Sequence, residues 1–274
     1  MPRLRSVSAA MKLGSALLAC ACLLGGNTSA EPLSVDLELV LAVDVSYSME
    51  LDEQRLQRQG YVAAFLQPAL IEAIENGPFG RIAVTYVEWG GSAVQVTPWT
   101  LIDGRSTAAQ YSELLRRQPI RRIAFTSISN TLAFTRRLFD YSPFAGSRRV
   151  IDISGDGPNN SGVPAPVARN STVARGITID GLPIMLKTHV AFDSAAIPDL
   201  DAYYRECVIG GDGAFLVKVT DSGAFASAIL RKLVTEISGL EISRLSPAMV
   251  HRAQVTQGYN CFIGEEMQER MIGK

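Results

Sequence analysis

The clearest pattern in the chain is a near-continuous apolar run from Leu37 to Val43 that ends at Asp44. A run without regular polar alternation is typical of a central strand in a parallel sheet, buried on both faces. Between residues 52 and 75 the apolar positions instead recur at largely helical spacing. This spacing predicts a helix that Pro68 bends or splits, because proline cannot donate a backbone hydrogen bond.

Strand and helix patterns continue to alternate along the chain. Further strands are predicted at 82–89, 93–102, 148–154, 177–179 (resuming at 183–186) and 214–219. Further helices are predicted at 107–117, 129–139, 164–175, 199–207 and 221–237. The Gly90-Gly91 turn predicts that the strands on either side of it form a hairpin. The whole order predicts an α/β fold with a doubly wound, mostly parallel central sheet, helices on both faces and one antiparallel edge hairpin.

Residues 1–30 have the basic, apolar and small-residue order of a secretory signal peptide. Arg3, Arg5 and Lys12 precede an apolar run, and cleavage is predicted after Ala30. The run has about twelve apolar residues, whereas a membrane-spanning helix needs roughly twenty. An uncleaved anchor and a lipid-modified Cys20 are the alternatives. The mature protein is therefore expected to be secreted or periplasmic, with no stable membrane span.

Composition and charge add to this picture mainly once the leader is removed. The 274 residues are 47% hydrophobic and 19% charged, with a net charge of −1. These values exclude a disordered chain, and 23 Gly and 13 Pro, which are near average usage, exclude a collagen-like one. Loss of residues 1–30 removes three basic and no acidic residues, which takes the net charge to −4. A mildly acidic chain argues against nucleic acid as a partner.

The same cleavage leaves two of the four cysteines, Cys207 and Cys261. In an oxidising compartment such a pair is predicted to form a disulfide. It would tether a polar, irregular tail at 239–274 to the domain at 36–238. Two separate buried thiols are the alternative.

The candidate chemistry lies at the carboxyl ends of the predicted strands, where open α/β sheets bind their ligands. Asp44, Ser46 and Ser48 come directly after the first strand, Thr126 lies in a hydroxyl-rich loop that opens a helix, and Asp156 follows a later central strand. Two carboxylates and three hydroxyls are hard oxygen ligands of the kind that suit Mg²⁺ or Mn²⁺. Asp and Ser are also common at helix N-caps, so capping is the alternative for the first three residues.

These residues resemble a known site. Asp-x-Ser-x-Ser after the first strand, a Thr in a helix-opening loop and Asp-Gly after a central strand are similar to the metal-ion-dependent adhesion site (MIDAS) of von Willebrand factor type A (vWA) domains. The resemblance covers residues 36–238 in motif order. It implies that Ser46, Ser48 and Thr126 contact a cation directly, whereas Asp44 and Asp156 act largely through bound waters.

A narrower resemblance rests on the segments Ser154–Asn160 and Val208–Gly211, with Ala214-Phe215. They look like a bacterial secreted subgroup of the vWA family that has no assigned function. Gly155 departs from the wider family, in which a bulkier residue is usual before the aspartate. The resemblance implies the fold and the metal site but not the partner.

The resulting hypothesis is a secreted, non-enzymatic module that binds an unknown protein ligand through Mg²⁺ or Mn²⁺. With only two formal negative charges from Asp44 and Asp156, the metal would readily accept a carboxylate from that ligand. Tyr47, between two candidate ligands, and Asn159 are the candidate partner contacts. A simple turn is the alternative for Asn159.

Two other function classes remain open. A phosphatase-type, metal-dependent hydrolase would want a second aspartate two residues after Asp44, where this chain has Ser46. A nucleophile elbow, a P-loop and a dinucleotide-binding glycine turn are absent from the sequence. Of the two histidines, His189 is predicted to be structural and His251 to be solvated. The remaining class is a purely structural or solute-binding envelope protein.

Overall fold

A mostly parallel sheet organises the part of the chain that the computed structural model describes: residues 31–186, 196–239, 250–252 (backbone only) and 258–273. The predicted signal peptide, His189 and the side chain of His251 lie outside these residues. The strands are β1 (Leu33–Asp44), β2 (Ile82–Trp89), β3 (Ala93–Gln95), β4 (Thr100–Ile102), β5 (Phe144–Gly155), β6 (Thr178–Pro183), β7 (Phe215–Val217) and β8 (Val250–Arg252).

The strand order is β3-β2-β1-β5-β6-β7-β8, with β4 also paired to β2. The five strands from β2 to β7 in this order are parallel. The antiparallel pairing of β3 and β4 with β2 confirms the predicted edge hairpin. At the opposite edge β8 runs antiparallel to β7, a pairing that the sequence patterns did not predict.

Helices cover both faces of the sheet, as predicted. They are α1 (Leu51–Ala64), α2 (Pro68–Glu75), α3 (Arg105–Arg116), α4 (Ile128–Leu138), α5 (Ala165–Val173), α6 (Leu200–Tyr203), α7 (Phe225–Ser238) and α8 (Ile263–Ile272). Helices α1, α2, α3 and α7 share one apolar core with Leu37, Leu39 and Leu41 of β1. Helices α4, α5 and α6 share the other with Val40 and Ala42, because successive strand residues point to opposite faces.

Two prolines explain where single predicted elements became two. Pro68 begins α2, where a missing N–H costs nothing, so the predicted helix at 52–75 is split and not bent. Pro98 lies between β3 and β4, which replace the single strand predicted at 93–102. In the reverse direction, β6 is continuous through Gly181, where an interruption was expected.

The tail also differs from its prediction. Residues 239–274 were expected to be irregular, but they contain β8 and the ten-residue helix α8. The disulfide between Cys207 and Cys261 is present and joins residues 54 positions apart. Ile263 and Met267 of α8 pack against the core that α4, α5 and α6 share. The helix α8 is thus a packed part of the same structure.

One face of the sheet buries a charged cluster formed by Lys232, Asp152, Asp180 and Glu236. Lys232 Nζ lies 2.7 Å from Asp152 Oδ1 and also pairs with Glu236. Burial raises the pKa of all three acids, to about 6 for Asp180. Burial opposes the ammonium of Lys232, but the charges of Asp152 and Glu236 outweigh it and raise the pKa of Lys232. Charge pairing as well as apolar packing therefore holds α7 against β5.

The register brings the functional candidates together. Asp44 ends β1 opposite Trp89 at the end of β2, and Val43 lies opposite Ser154 in β5. The carboxyl ends of these three central strands therefore share one edge, which we call the site edge. None of the helices in the described residues is long and apolar enough to span a membrane.

Candidate metal centre

The turn after β1 forms the first half of the candidate centre. The backbone N–H of Ser46 donates to Asp44 Oδ1 at 2.7 Å, which folds the turn back over the carboxylate. Both residues are buried. The capping alternative is wrong, because the N-cap of α1 is Glu50, whose backbone N–H donates to Glu53 at 2.9 Å. Asp44, Ser46 and Ser48 therefore do not cap α1.

A chain of hydrogen bonds joins this turn to the end of β5. The hydroxyl oxygens of Ser46 and Ser48 lie 2.7 Å apart, and Ser48 Oγ donates to Asp156 Oδ1 at 2.7 Å. The structure therefore brings four of the predicted site residues, Asp44, Ser46, Ser48 and Asp156, into one connected group. Ser48 and Asp156, which join the two halves of this group, are 108 residues apart in the sequence.

Thr126 lies at the same edge, in the loop between the two halves. Ile123 donates its backbone N–H to Val45 O at 3.0 Å, which attaches this loop to the turn after β1. Thr126 then exchanges two hydrogen bonds with Asn160: its N–H donates to Asn160 Oδ1 at 2.9 Å, and its carbonyl accepts the Asn160 N–H at 2.8 Å. Thr126 is buried between the turn after β1 and the loop that follows Asp156.

Close packing explains why this chain has glycine at residue 155, where the wider family has a bulkier residue. A Cβ at this position would lie 2.8 Å from both Asp44 Oδ2 and Tyr204 Oη, and 3.0 Å from Trp89. The backbone of β5 therefore approaches the carboxylate of Asp44 more closely than any side chain would permit. Glycine at residue 155 lets Asp44 and Tyr204 share this buried corner.

Asp44 also provides the test of whether a cation suits these residues. Its Oδ2 is buried and accepts no hydrogen bond from the described residues. Burial, followed by the charge of Asp156, raises the pKa of Asp44 to about 8. A nearby cation reverses both effects, because it supplies the missing partner and favours the carboxylate. An orphaned buried acceptor among hard oxygen donors fits a divalent cation.

The centre differs from a site built of charged or histidine ligands. No group of three or more His, Cys, Asp or Glu side chains placed to hold a metal occurs in the part of the chain that the structure describes. Here three of the five candidate ligands are hydroxyls, so the donor set is weakly charged. Such a set leaves attraction for a further anionic ligand.

Of the two predicted partner contacts, Tyr47 is exposed and Asn159 is not. Tyr47 has 61% of its surface accessible and lies between Ser46 and Ser48. Asn159 is buried, and the structure gives it an internal role. Its Oδ1 accepts from Ser129 N–H at 3.0 Å, and its Nδ2 donates to Glu265 Oε1 of α8 at 2.7 Å. Asn159 therefore fixes the loop after Asp156.

Two exposed residues that the sequence did not single out complete this edge. Phe125 directly precedes Thr126, has φ +64° and is 56% exposed. Arg122 lies with its guanidinium 5.0 Å from the ring centroid of Tyr47 and donates from Nη2 to Tyr47 O at 3.2 Å. A positive φ at phenylalanine has no sequence signal, which is why the patterns could not mark Phe125.

The fold is similar to that of vWA domains. Three solved structures of similar fold are a von Willebrand factor type A protein from Catenulispora acidiphila, proximal thread matrix protein 1 from the mussel byssus, and the pilus adhesin SpaC from Lactobacillus rhamnosus GG. Their TM-scores are 0.52, 0.52 and 0.55, at 19%, 14% and 11% sequence identity. The mussel protein was solved with a zinc-occupied MIDAS motif.

The matches cover 74%, 76% and 77% of this chain but 43%, 50% and 31% of those three. The chain thus spans half or less of each of these relatives. Residues 34–241 match the family model described as "Protein of unknown function (DUF1194)", and the chain belongs to this family. No curated protein matches it. The predicted vWA fold is confirmed.

Proposed function

We propose that this protein is a secreted, non-enzymatic binding module that captures a protein partner through a divalent cation. The observation that carries the proposal is the connected group of Asp44, Ser46, Ser48 and Asp156, together with the orphaned Asp44 Oδ2. Buried polar atoms without a partner are costly, so their presence at a site edge points to a ligand. The partner class follows from the small negative charge of the donor set.

Each candidate ligand has a distinct part in this proposal. Ser46, Ser48 and Thr126 would contact the cation directly, and Asp44 and Asp156 would hold it through bound waters. The cation, when bound, supplies an electrophilic centre that attracts an acidic side chain of the partner. Mg²⁺ or Mn²⁺ suits this set best, because both prefer hard oxygen donors. The zinc-occupied MIDAS motif of the mussel relative supports a divalent cation at a site of this class.

Secretion to an oxidising compartment is part of the proposal. The Cys207–Cys261 disulfide supports it, because disulfides persist in extracellular and periplasmic proteins and are rare in the cytosol. The signal-peptide pattern at residues 1–30 is the second support.

The first experiment is calorimetric titration of the mature protein with Mg²⁺, Mn²⁺ and Zn²⁺. We expect one site in the wild type and none in Asp44→Asn, which keeps the shape of the side chain but removes its charge. Asp212→Asn is the matched control. Asp212 is exposed, and its backbone carbonyl accepts a hydrogen bond from the Thr178 hydroxyl at the amino end of β6, away from the candidate ligands. Absence of cation binding in the wild type would overturn the proposal.

A second experiment tests partner capture and separates the hydrolase alternative. The wild type should retain an envelope protein from the source organism in Mg²⁺ and release it in chelator, whereas Asp44→Ala should retain none. Turnover of p-nitrophenyl phosphate is measured in parallel. Metal-dependent turnover that disappears in Asp44→Asn would favour a hydrolase over a binding module.

A further inference from the structure

Three exposed residues form a rim beside the candidate centre: Tyr47, Arg122 and Phe125. Each aromatic residue is a chain neighbour of candidate ligands, since Tyr47 lies between Ser46 and Ser48 and Phe125 precedes Thr126. Their loops are joined by the parallel bridge between Ser46 and Ile123. A partner that reached the cation would therefore meet this rim.

The backbone of Phe125 is held in an unfavourable conformation. A φ of +64° is rare for a bulky side chain, whereas glycine or asparagine adopts it at little cost. Hydrogen bonds on both sides hold it there: Gly91 N–H donates to Ala124 O at 2.7 Å, and Thr126 N–H donates to Asn160 Oδ1 at 2.9 Å. Strain of this kind persists only where the surrounding structure enforces it, and it clusters at functional sites.

Folding does not account for a phenylalanine in this position. With 56% of its surface accessible, the ring adds little to either core, and glycine would relieve the backbone. The residue thus costs stability twice, through strain and through exposed apolar surface. A role in contacting another molecule explains both features.

Arg122 gives the rim its charge. Its guanidinium stacks on Tyr47, and the structure records no carboxylate pairing with it among the described residues. The neighbouring Arg121, by contrast, pairs with the buried Glu88 at 3.2 Å. A cation fixed on an exposed aromatic ring offers charge complementarity to an acidic partner.

We propose that this rim recognises an acidic polypeptide segment in which the carboxylate that completes the cation's coordination is flanked by an aromatic residue and a second carboxylate. The aromatic residue packs on Phe125 and Tyr47, and the second carboxylate pairs with Arg122. This inference rests on the proposed function and specifies the partner of the same site.

The test uses blocked pentapeptides with a central aspartate flanked by phenylalanine and glutamate, made in both orders. Two matched peptides carry alanine in place of the phenylalanine or glutamine in place of the glutamate. Calorimetry first measures Mn²⁺ binding alone for the wild type, Phe125→Ala and Arg122→Gln, and then peptide binding in saturating Mn²⁺. Tyr141→Ala and Arg137→Gln are the controls. Both side chains are exposed: Arg137 lies in the last turn of α4 and Tyr141 in the short turn of helix between α4 and β5, away from the candidate ligands.

We expect all five proteins to bind Mn²⁺ alike. Phe125→Ala should weaken binding of the peptide that contains both phenylalanine and glutamate by about three- to tenfold. It should leave binding of the peptide with alanine in place of phenylalanine unchanged, because the two phenylalanines contact each other directly. Arg122→Gln should likewise weaken binding of the glutamate-containing peptide and leave binding of the matched glutamine peptide unchanged. Equal affinity for all peptides, or no peptide binding by a protein that binds Mn²⁺, would overturn the rim proposal alone. Absence of Mn²⁺ binding would overturn the proposed function as well.

Discussion

The hydroxyl of Ser48 donates a hydrogen bond of 2.7 Å to Asp156 Oδ1, and so links the turn after β1 to the end of β5. This contact joins two strands that the chain order separates by α1 to α4. It is the structural basis for treating the two ends as one site.

Ser48→Ala should weaken Mn²⁺ binding by about tenfold or more, the scale on which even outer partners of metal ligands act. The stability of the metal-free protein should fall by only about 1 kcal/mol, the net value of a typical hydrogen bond. Calorimetry and urea unfolding measure the two effects. Ser106→Ala, an exposed serine in the first turn of α3, is the control. Unchanged Mn²⁺ affinity in Ser48→Ala would remove this residue from the site.

Phe125→Gly should stabilise the fold, because glycine adopts φ +64° without strain. The left-handed conformation costs an ordinary residue roughly 1–2 kcal/mol, and glycine removes this cost. Glycine also makes the unfolded chain more flexible, which offsets about half of the gain. A gain of up to about 1 kcal/mol in the free energy of unfolding is expected. Tyr141→Gly, at an exposed aromatic with ordinary backbone angles, should lose stability instead. A loss in both variants would show that Phe125 is not strained.

Asp180→Asn should gain stability relative to the wild type as the pH rises. The pKa of Asp180 is about 6 in the folded protein, whereas an unfolded aspartate titrates near 3.9. Stability from this group is therefore complete below about pH 4 and is lost as the pH rises through about 6. The charged groups that face it are Lys232, Asp152, Glu236 and Arg148.

Urea unfolding at intervals from pH 4 to pH 7 measures this difference. The amide oxygen of asparagine can still accept the Phe215 N–H that Asp180 Oδ1 accepts at 2.9 Å, so the variant keeps the local hydrogen bond. Asp212→Asn serves as the exposed control. A stability difference that does not change with pH would contradict the prediction.

Removal of the disulfide by Cys207→Ser with Cys261→Ser should cost about 2–4 kcal/mol, the usual range for a bridge of this kind. The bridge joins residues 54 positions apart, and Cys207 is buried in the core against which α8 packs. Guanidinium unfolding with and without a reductant measures the loss. The double variant should be insensitive to the reductant, whereas the wild type should fall to its level. Equal stability of the two proteins without reductant would contradict the expectation.

The fold and four of the five candidate ligands follow from patterns that are local in sequence. The apolar run of β1 predicts a central strand, and the polar residues directly after it must therefore lie at the site edge. Asp156 follows the same rule after β5. Thr126 was named from its hydroxyl-rich, helix-opening loop, but what holds it in place is a pair of hydrogen bonds to Asn160 in a different loop, which no local pattern shows.

The features that sequence patterns missed depend on distant contacts. Asn159 was a candidate partner contact with a simple turn as the alternative, but it is buried and donates a hydrogen bond to Glu265 of α8. Lys232 and Glu236 are charged residues on the buried face of α7, seven positions after Phe225 and Ile229, where the helical pattern calls for apolar side chains. Only the fold shows that Asp152 of β5 lies opposite them and makes their burial tolerable.

The boundary of the family match has a practical consequence for anyone who expresses this protein. The match ends at residue 241, whereas α8 begins at Ile263 and Gly264 is pressed against Asn159 so closely that a Cβ would lie 2.0 Å from its carbonyl oxygen. A fragment cut at the family boundary would leave Cys207 as a lone thiol and uncover the loop after Asp156. Fragments intended for ligand screening should therefore extend through residue 273.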